Sequence, residues 1–175
     1  GTREGFRLLE KYGDKIQLAA EAAELPDPDL AQAFPQSNRL LTDQELEALR
    51  TDVLSRCGYS PSASESKLPW YFHYEFGKEL IASGDPQKGL QALEKGTQKR
   101  VKSGRQSRMY GMWFTDYVPY YQMAKASSRL GDWQSAYEAI KVSESFGEFS
   151  PDDPDWEEFQ TLEQLIELKV QAQDS

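Results

Sequence analysis

Apolar residues recur along this chain mostly at three- and four-residue spacing, the period of a helix with one buried face. Residues 3 to 24 place Phe6, Leu8, Leu9, Tyr12, Ile16, Ala19, Ala20 and Ala23 on that pattern, with a break expected at Gly13, and LPDPDL then interrupts it. In TDQELEALRTDVLSRCG, Thr42 and Glu45 stand at capping-box spacing and Gly58 follows the last apolar position, which predicts a helix over roughly 43 to 57. YSPSASESKLP is rich in residues whose side chains bond nearby backbone, so it reads as a connector within one domain. Strand signals are weak throughout, because no alternating run carries hairpin chemistry such as Asn-Gly.

One phrase is written twice. LIASGDPQKGLQALEKG begins at Leu80, and SSRLGDWQSAYEAIKVS repeats its plan 47 residues later. Gly84 and Gly131 each follow a helical run and can close it in the left-handed conformation. Asp85 and Asp132 come next and can cap the following helix, and Pro86 suits a first helical position. Helices joined so tightly must fold back on each other, which needs small residues at the crossing. Gly77 with Gly89, and Ala124 with Ala136, fall where that contact would occur. Helices are therefore predicted near 70–83 and 86–100, and again ending near 130 and restarting near 132.

These positions resemble the tetratricopeptide repeat. Phe76-Gly77, Leu80, Gly84-Asp85, Gly89-Leu90, Leu93 and Gly96 follow its large-small, turn, small-large-large pattern. Met123-Ala124, Gly131-Asp132, Ala136-Tyr137, Ile140 and Ser143 do so again. The spacing of 47 exceeds the usual period of about 34, and the surplus is expected in 97–116 as longer helices. KYGDKIQLAAEAAE, with Gly13-Asp14, reads as a decayed third copy. The resemblance implies an all-α fold of antiparallel hairpins stacked as a short right-handed superhelix. Its parts are N-terminal helices over 1–58, the connector 59–69, two hairpins over 70–145, and a capping helix over 153–172 begun by Asp153-Pro154.

Such a scaffold binds with residues that its packing pattern does not require. Tyr74 and Lys78 recur as Tyr121 and Lys125 under the 47-residue shift, four apart on one helix face. Since the first helices of these hairpins line the concave groove in that family, the resemblance implies that the two stripes, extended by Arg129, face a shared peptide-binding groove. Tyrosines at helical spacing are also the ordinary furniture of a core. A groove with three cations and two phenols would take an acidic peptide or a C-terminal carboxylate. A third reading is a structural subunit whose groove is filled by its own chain.

Charge narrows the partner class. The chain carries 29 acidic against 20 basic residues, a net charge of -9, which argues against a nucleic-acid binder. The basic tract Lys95, Lys99, Arg100, Lys102, Arg105 and Arg108 is expected at a solvated helix end, facing the acidic region with Asp152, Asp153, Asp155, Glu157 and Glu158. No apolar run is long enough to span a membrane. The single cysteine leaves the compartment open. The chain begins at Gly1 without methionine, which reads as a trimmed start, and any signal peptide or anchor would have been removed with the trimmed segment, leaving the localisation open beyond a soluble domain.

Catalysis has little to stand on, and neither a metal nor a cofactor is expected. His73, the single histidine, lies in the aromatic run PWYFHYEF, where a packed imidazole is expected. Cys57 reads as a buried thiol. Glu75 and Glu79 share a helix face and supply the competing reading, a helical glycan-cleaving enzyme. MYGMWFTDYVPYY is expected to be core, with Pro119 near a helix start and Trp113 and Phe114 packed over the turn between hairpins. Exposure of those two rings together would instead mark a partner surface.

Overall fold

The computed structural model describes residues 38–174; the expected helix over 3–24 and the third copy at Gly13-Asp14 lie outside them. The described chain is mainly helical. Six α-helices run in order as α1 (Asp43–Arg56), α2 (Trp70–Ala82), α3 (Pro86–Lys99), α4 (Pro119–Arg129), α5 (Trp133–Ser145) and α6 (Trp156–Asp174). Each packs on the next, and α2 with α3 and α4 with α5 form tight hairpins.

Local rules account for most helix ends. Thr42 accepts from the Glu45 amide while the Glu45 side chain takes the Thr42 amide, completing the capping box of α1. Asp85 accepts from Lys88 N and Asp132 from Ser135 N, at 3.2 Å each, and Gly84 and Gly131 turn with φ of 98° and 76°. At the first crossing the backbones nearly touch. A Cβ on Gly89 would sit 2.6 Å from Ile81 Cγ1 and 3.0 Å from the Gly77 carbonyl oxygen. Ala124 and Ala136 are fully buried in the second hairpin.

The stretch expected as longer helices is instead a β-hairpin. After Lys99 the backbone is extended at Arg100, and strand β1 (Gly104–Arg108) pairs antiparallel with β2 (Phe114–Tyr117). Val101, Ser103 and Gly104 are poor helix continuers, and Thr115 and Tyr117 favour strands. Gln106, at φ 50°, marks a bulge whose amide is taken by the Asp116 carboxylate. The connector 59–69 contains a short 3-10 turn (Glu65–Lys67), and Leu68 is buried against Val53, Leu54 and Cys57.

The basic tract divides accordingly. Lys95 and Lys99 belong to α3, whereas Arg105 and Arg108 lie on β1. Arg105 does face the acidic region: its Nη2 stands 3.0 Å from Asp155 and 3.6 Å from Asp153, with its guanidinium carbon 4.5 Å from the Phe149 ring centroid. Glu148, only 2% exposed, follows α5 and accepts from the amides of Tyr120 and Tyr121 and the hydroxyls of Ser103 and Ser143. It thus caps α4, whose own N-cap residue Val118 has no side chain to do so. Burial pushes the Glu148 carboxyl up, and its hydrogen bonds oppose that shift.

Candidate functional site

The residues singled out as a peptide groove are placed in the structure as follows. Tyr74 is 1% exposed, donates its hydroxyl to the Asp116 carbonyl at 2.6 Å, and accepts from the Val118 amide at 3.2 Å. Tyr121 is 3% exposed, its ring meeting Phe149 and Phe159. Both rings are core, which corrects the expectation that they face a shared peptide-binding groove. Each first helix of a hairpin turns this position toward the segment packed on it, and a tyrosine is tolerated there when its hydroxyl finds backbone, as that of Tyr74 does.

The three cations are engaged by the chain itself. Lys78 Nζ lies 3.2 Å from Glu75 and 4.8 Å from the Tyr74 ring centroid. Lys125 lies 3.4 Å from Glu158, and Arg129 donates to the Ile81 carbonyl at 2.6 Å, tying the second hairpin to the first.

The two carboxylates of the enzymatic reading are also spoken for. Glu75 accepts from the Thr115 hydroxyl at 2.6 Å as well as from Lys78, and Glu79 pairs with Arg56 at 3.2 Å. The Cys57 thiol is buried and pushed up to about 11, chiefly by desolvation with Glu75 adding to it. Among the described residues no group of three His, Cys, Asp or Glu side chains could hold a metal ion.

Two other features stand out. The first is the tip of the β-hairpin. Trp113 N donates to the Tyr110 carbonyl and Met109 N to the Trp113 carbonyl, with φ of 55° at Gly111, the signature of a type II′ turn. Tyr110 anchors it: the ring stacks on Tyr71 and covers Gly58, and the hydroxyl donates to the Arg56 carbonyl at 2.8 Å. At the base, Tyr117 is buried between Trp70 and Tyr74. Between these anchors Met112, Trp113 and Phe114 are 83%, 64% and 52% exposed. The expectation that Trp113 and Phe114 pack over the inter-hairpin turn is therefore corrected. In a two-stranded ribbon with one face on the helices, the other face and the turn have nothing among the described residues to lie against. The signal that could have found this turn is Tyr-Gly-Met-Trp between strand-forming residues, with glycine where a II′ turn needs it.

The second feature is a cleft of about 390 Å³ between α1 and α3, floored by α2. His73, Phe76 and Leu80 form the floor, Asp43 and Glu47 stand on the α1 side, and Lys88 and Lys95 on the α3 side. Burial holds the His73 imidazole well below its ordinary range, at about 4, so it is neutral at pH 7.

Comparison with protein-family models, with curated protein sequences and with solved structures finds no significant match to this chain.

Proposed function

We propose that this protein is a non-catalytic interaction module built on tetratricopeptide-like hairpins, and that it holds a protein partner through Met112, Trp113 and Phe114. One observation carries the reading: three consecutive large apolar side chains project from a turn anchored at both ends, where exposure cannot be relieved by local collapse. Contiguous apolar surface of this kind is typical of partner contacts. Arg108, cross-strand from Phe114, is exposed and has no carboxylate partner among the described residues. The matching surface is therefore an apolar strip bearing a carboxylate, which keeps the acidic-peptide preference but moves it from the helices to the hairpin.

The tetratricopeptide-like part of the proposal rests on the close glycine and alanine crossings, the Gly-Asp turns and the serial packing of helices. The repeat spacing supports it as well, since the surplus of about 13 residues over the usual period is close to the length of the inserted hairpin. The test is affinity capture with wild type and Trp113→Ser/Phe114→Ser side by side, bound proteins being quantified by mass spectrometry. A partner lost at least ten-fold at unchanged Tm is expected. Equal capture by both proteins, or Trp113-dependent sedimentation with lipid vesicles and no captured protein, would overturn the proposal.

A further inference from the structure

The cleft between α1 and α3 has the chemistry that the hairpin tip asks of a partner. Its base is apolar, with Leu46 and Phe76 half-buried along it and Leu80 closing the floor. The cations around it are matched by carboxylates of the chain itself: Lys88 stands 3.2 Å from Asp85, Arg50 3.0 Å from Glu65 and Lys95 3.9 Å from Glu65. Asp43 and Glu47, four residues apart on α1, are exposed at the rim and make no ion pair among the described residues. The rim thus offers two carboxylates beside an apolar floor.

We infer that the tip of one copy of this chain docks in the α1–α3 cleft of a second copy, with Trp113 and Phe114 covering Leu46 and Phe76 while Arg108 meets Asp43 and Glu47. This names the partner of the tip and rests on the reading of the tip as a contact surface. Arg108 is placed for the task. Its Nε donates to the Gly111 carbonyl at 2.7 Å, which holds the guanidinium at the turn, and its terminal nitrogens make no hydrogen bond among the described residues. A guanidinium pre-positioned in this way can take a carboxylate through two parallel bonds. An aromatic ring on an apolar floor and an arginine on a carboxylate are the contacts that dominate small interfaces.

The contact must run between copies and in one direction. α2 holds the β-hairpin through Tyr71, Tyr74 and Glu75, which meet Tyr110, the Asp116 carbonyl and Thr115, whereas Phe76 and Leu80 floor the cleft. At about 3.6 residues per turn the two sets lie on opposite sides of α2. The tip is also fixed at the far end of α1, where Tyr110 covers Gly58, and Asp43 begins that helix about 20 Å away. Anchored at both ends, the hairpin cannot reach its own cleft. A tip on one side and a cleft on the other make a head-to-tail contact, so every open assembly keeps one free tip and one free cleft and growth continues unless a ring closes. One turn in one cleft is a small interface, and the association is accordingly weak and concentration-dependent.

Sedimentation velocity on the full chain, from about 10 µM to about 1 mM, tests the inference. Wild type is expected to grow beyond the dimer as concentration rises. Trp113→Ser/Phe114→Ser removes the tip, and Glu47→Lys places a cation on the rim at an exposed position within α1; each is expected to weaken self-association roughly ten-fold or more at unchanged Tm. Mixed one to one, the two variants should recover the wild-type affinity to within about three-fold and stop at a dimer, because each pair keeps one intact tip and one intact cleft. Arg108→Glu serves for the tip if the double substitution lowers Tm, and is expected to weaken association as Glu47→Lys does. A wild type still monomeric at about 1 mM, a Glu47→Lys variant that associates as wild type does, or a mixture that stays monomeric would each overturn the inference. Trp113-dependent capture of a different protein by a chain that remains monomeric would overturn it while leaving the tip a partner surface. Self-association and capture that are both indifferent to Trp113→Ser/Phe114→Ser would overturn the two together.

Discussion

In the α2–α3 hairpin the turn aspartate is 1% exposed and accepts from Lys88 N, Lys88 Nζ and the distant Leu41 amide; in the α4–α5 hairpin its counterpart Asp132 is exposed and, among the described residues, accepts from Ser135 N alone. The crossings differ in the same sense. Gly77 and Gly89 bring α2 and α3 into backbone contact, whereas alanines separate α4 and α5. Two copies of one sequence phrase thus perform one geometric task under different constraints. The first is locked by tertiary contacts, and the second is held by local capping with Glu148 reaching in from beyond α5.

That contrast can be broken most severely at Asp85. Asp85→Ala leaves the buried Leu41 amide without a partner and removes a cap, so a loss of about 3 kcal/mol is expected in denaturant unfolding. Asp132→Ala should cost about 1 kcal/mol. Equal losses would show that burial of the first turn is energetically idle.

Gly89→Ala comes next. Its Cβ would press on Ile81 and on the Gly77 carbonyl, and overpacking there outweighs the better helix propensity of alanine, giving a loss of about 2 kcal/mol. A stabilised variant would mean that the helices separate without penalty.

A third difference depends on pH. The His73 pKa is about 4 in the folded protein against 6.5 for the free side chain, so between those values the unfolded chain binds the extra proton. Stability is then lost as pH falls from 6.5 toward 4, by an amount on the order of 2 kcal/mol. His73→Asn should flatten the decline between pH 7 and 5, where carboxylates contribute least. A wild-type slope unchanged by the substitution would contradict a neutral, buried imidazole.

The smallest expected effects lie at the second turn and at the hairpin tip. Gly131 has open space around the position of a Cβ, so Gly131→Ala carries only the strain of a positive φ, about 1 kcal/mol. Trp113→Ser removes an exposed ring and should change stability by less than about 0.5 kcal/mol. A larger loss would show that the tip is a packing element and would remove the ground for treating it as a contact surface.

Helix ends were legible in the chain because their determinants sit within a few residues: Thr42 with Glu45, Gly84 with Asp85, Gly131 with Asp132, and Pro119 at the first position of α4. Small residues at Gly77, Gly89, Ala124 and Ala136 announced close crossings for the same reason, since the tight turns leave little choice about which faces meet. Which tyrosines would be core was a different kind of question. Tyr74 is buried because Asp116 and Val118, 42 and 44 residues away, come to meet its hydroxyl, and no helical period contains that information. The same holds for Glu148 capping α4 from 27 residues downstream, and for Trp113, which a local pattern of aromatics assigned to the core. A spacing rule reports which side chains share a face; only the tertiary structure decides whether something lies against that face, because burial is a property of the pair and not of the segment.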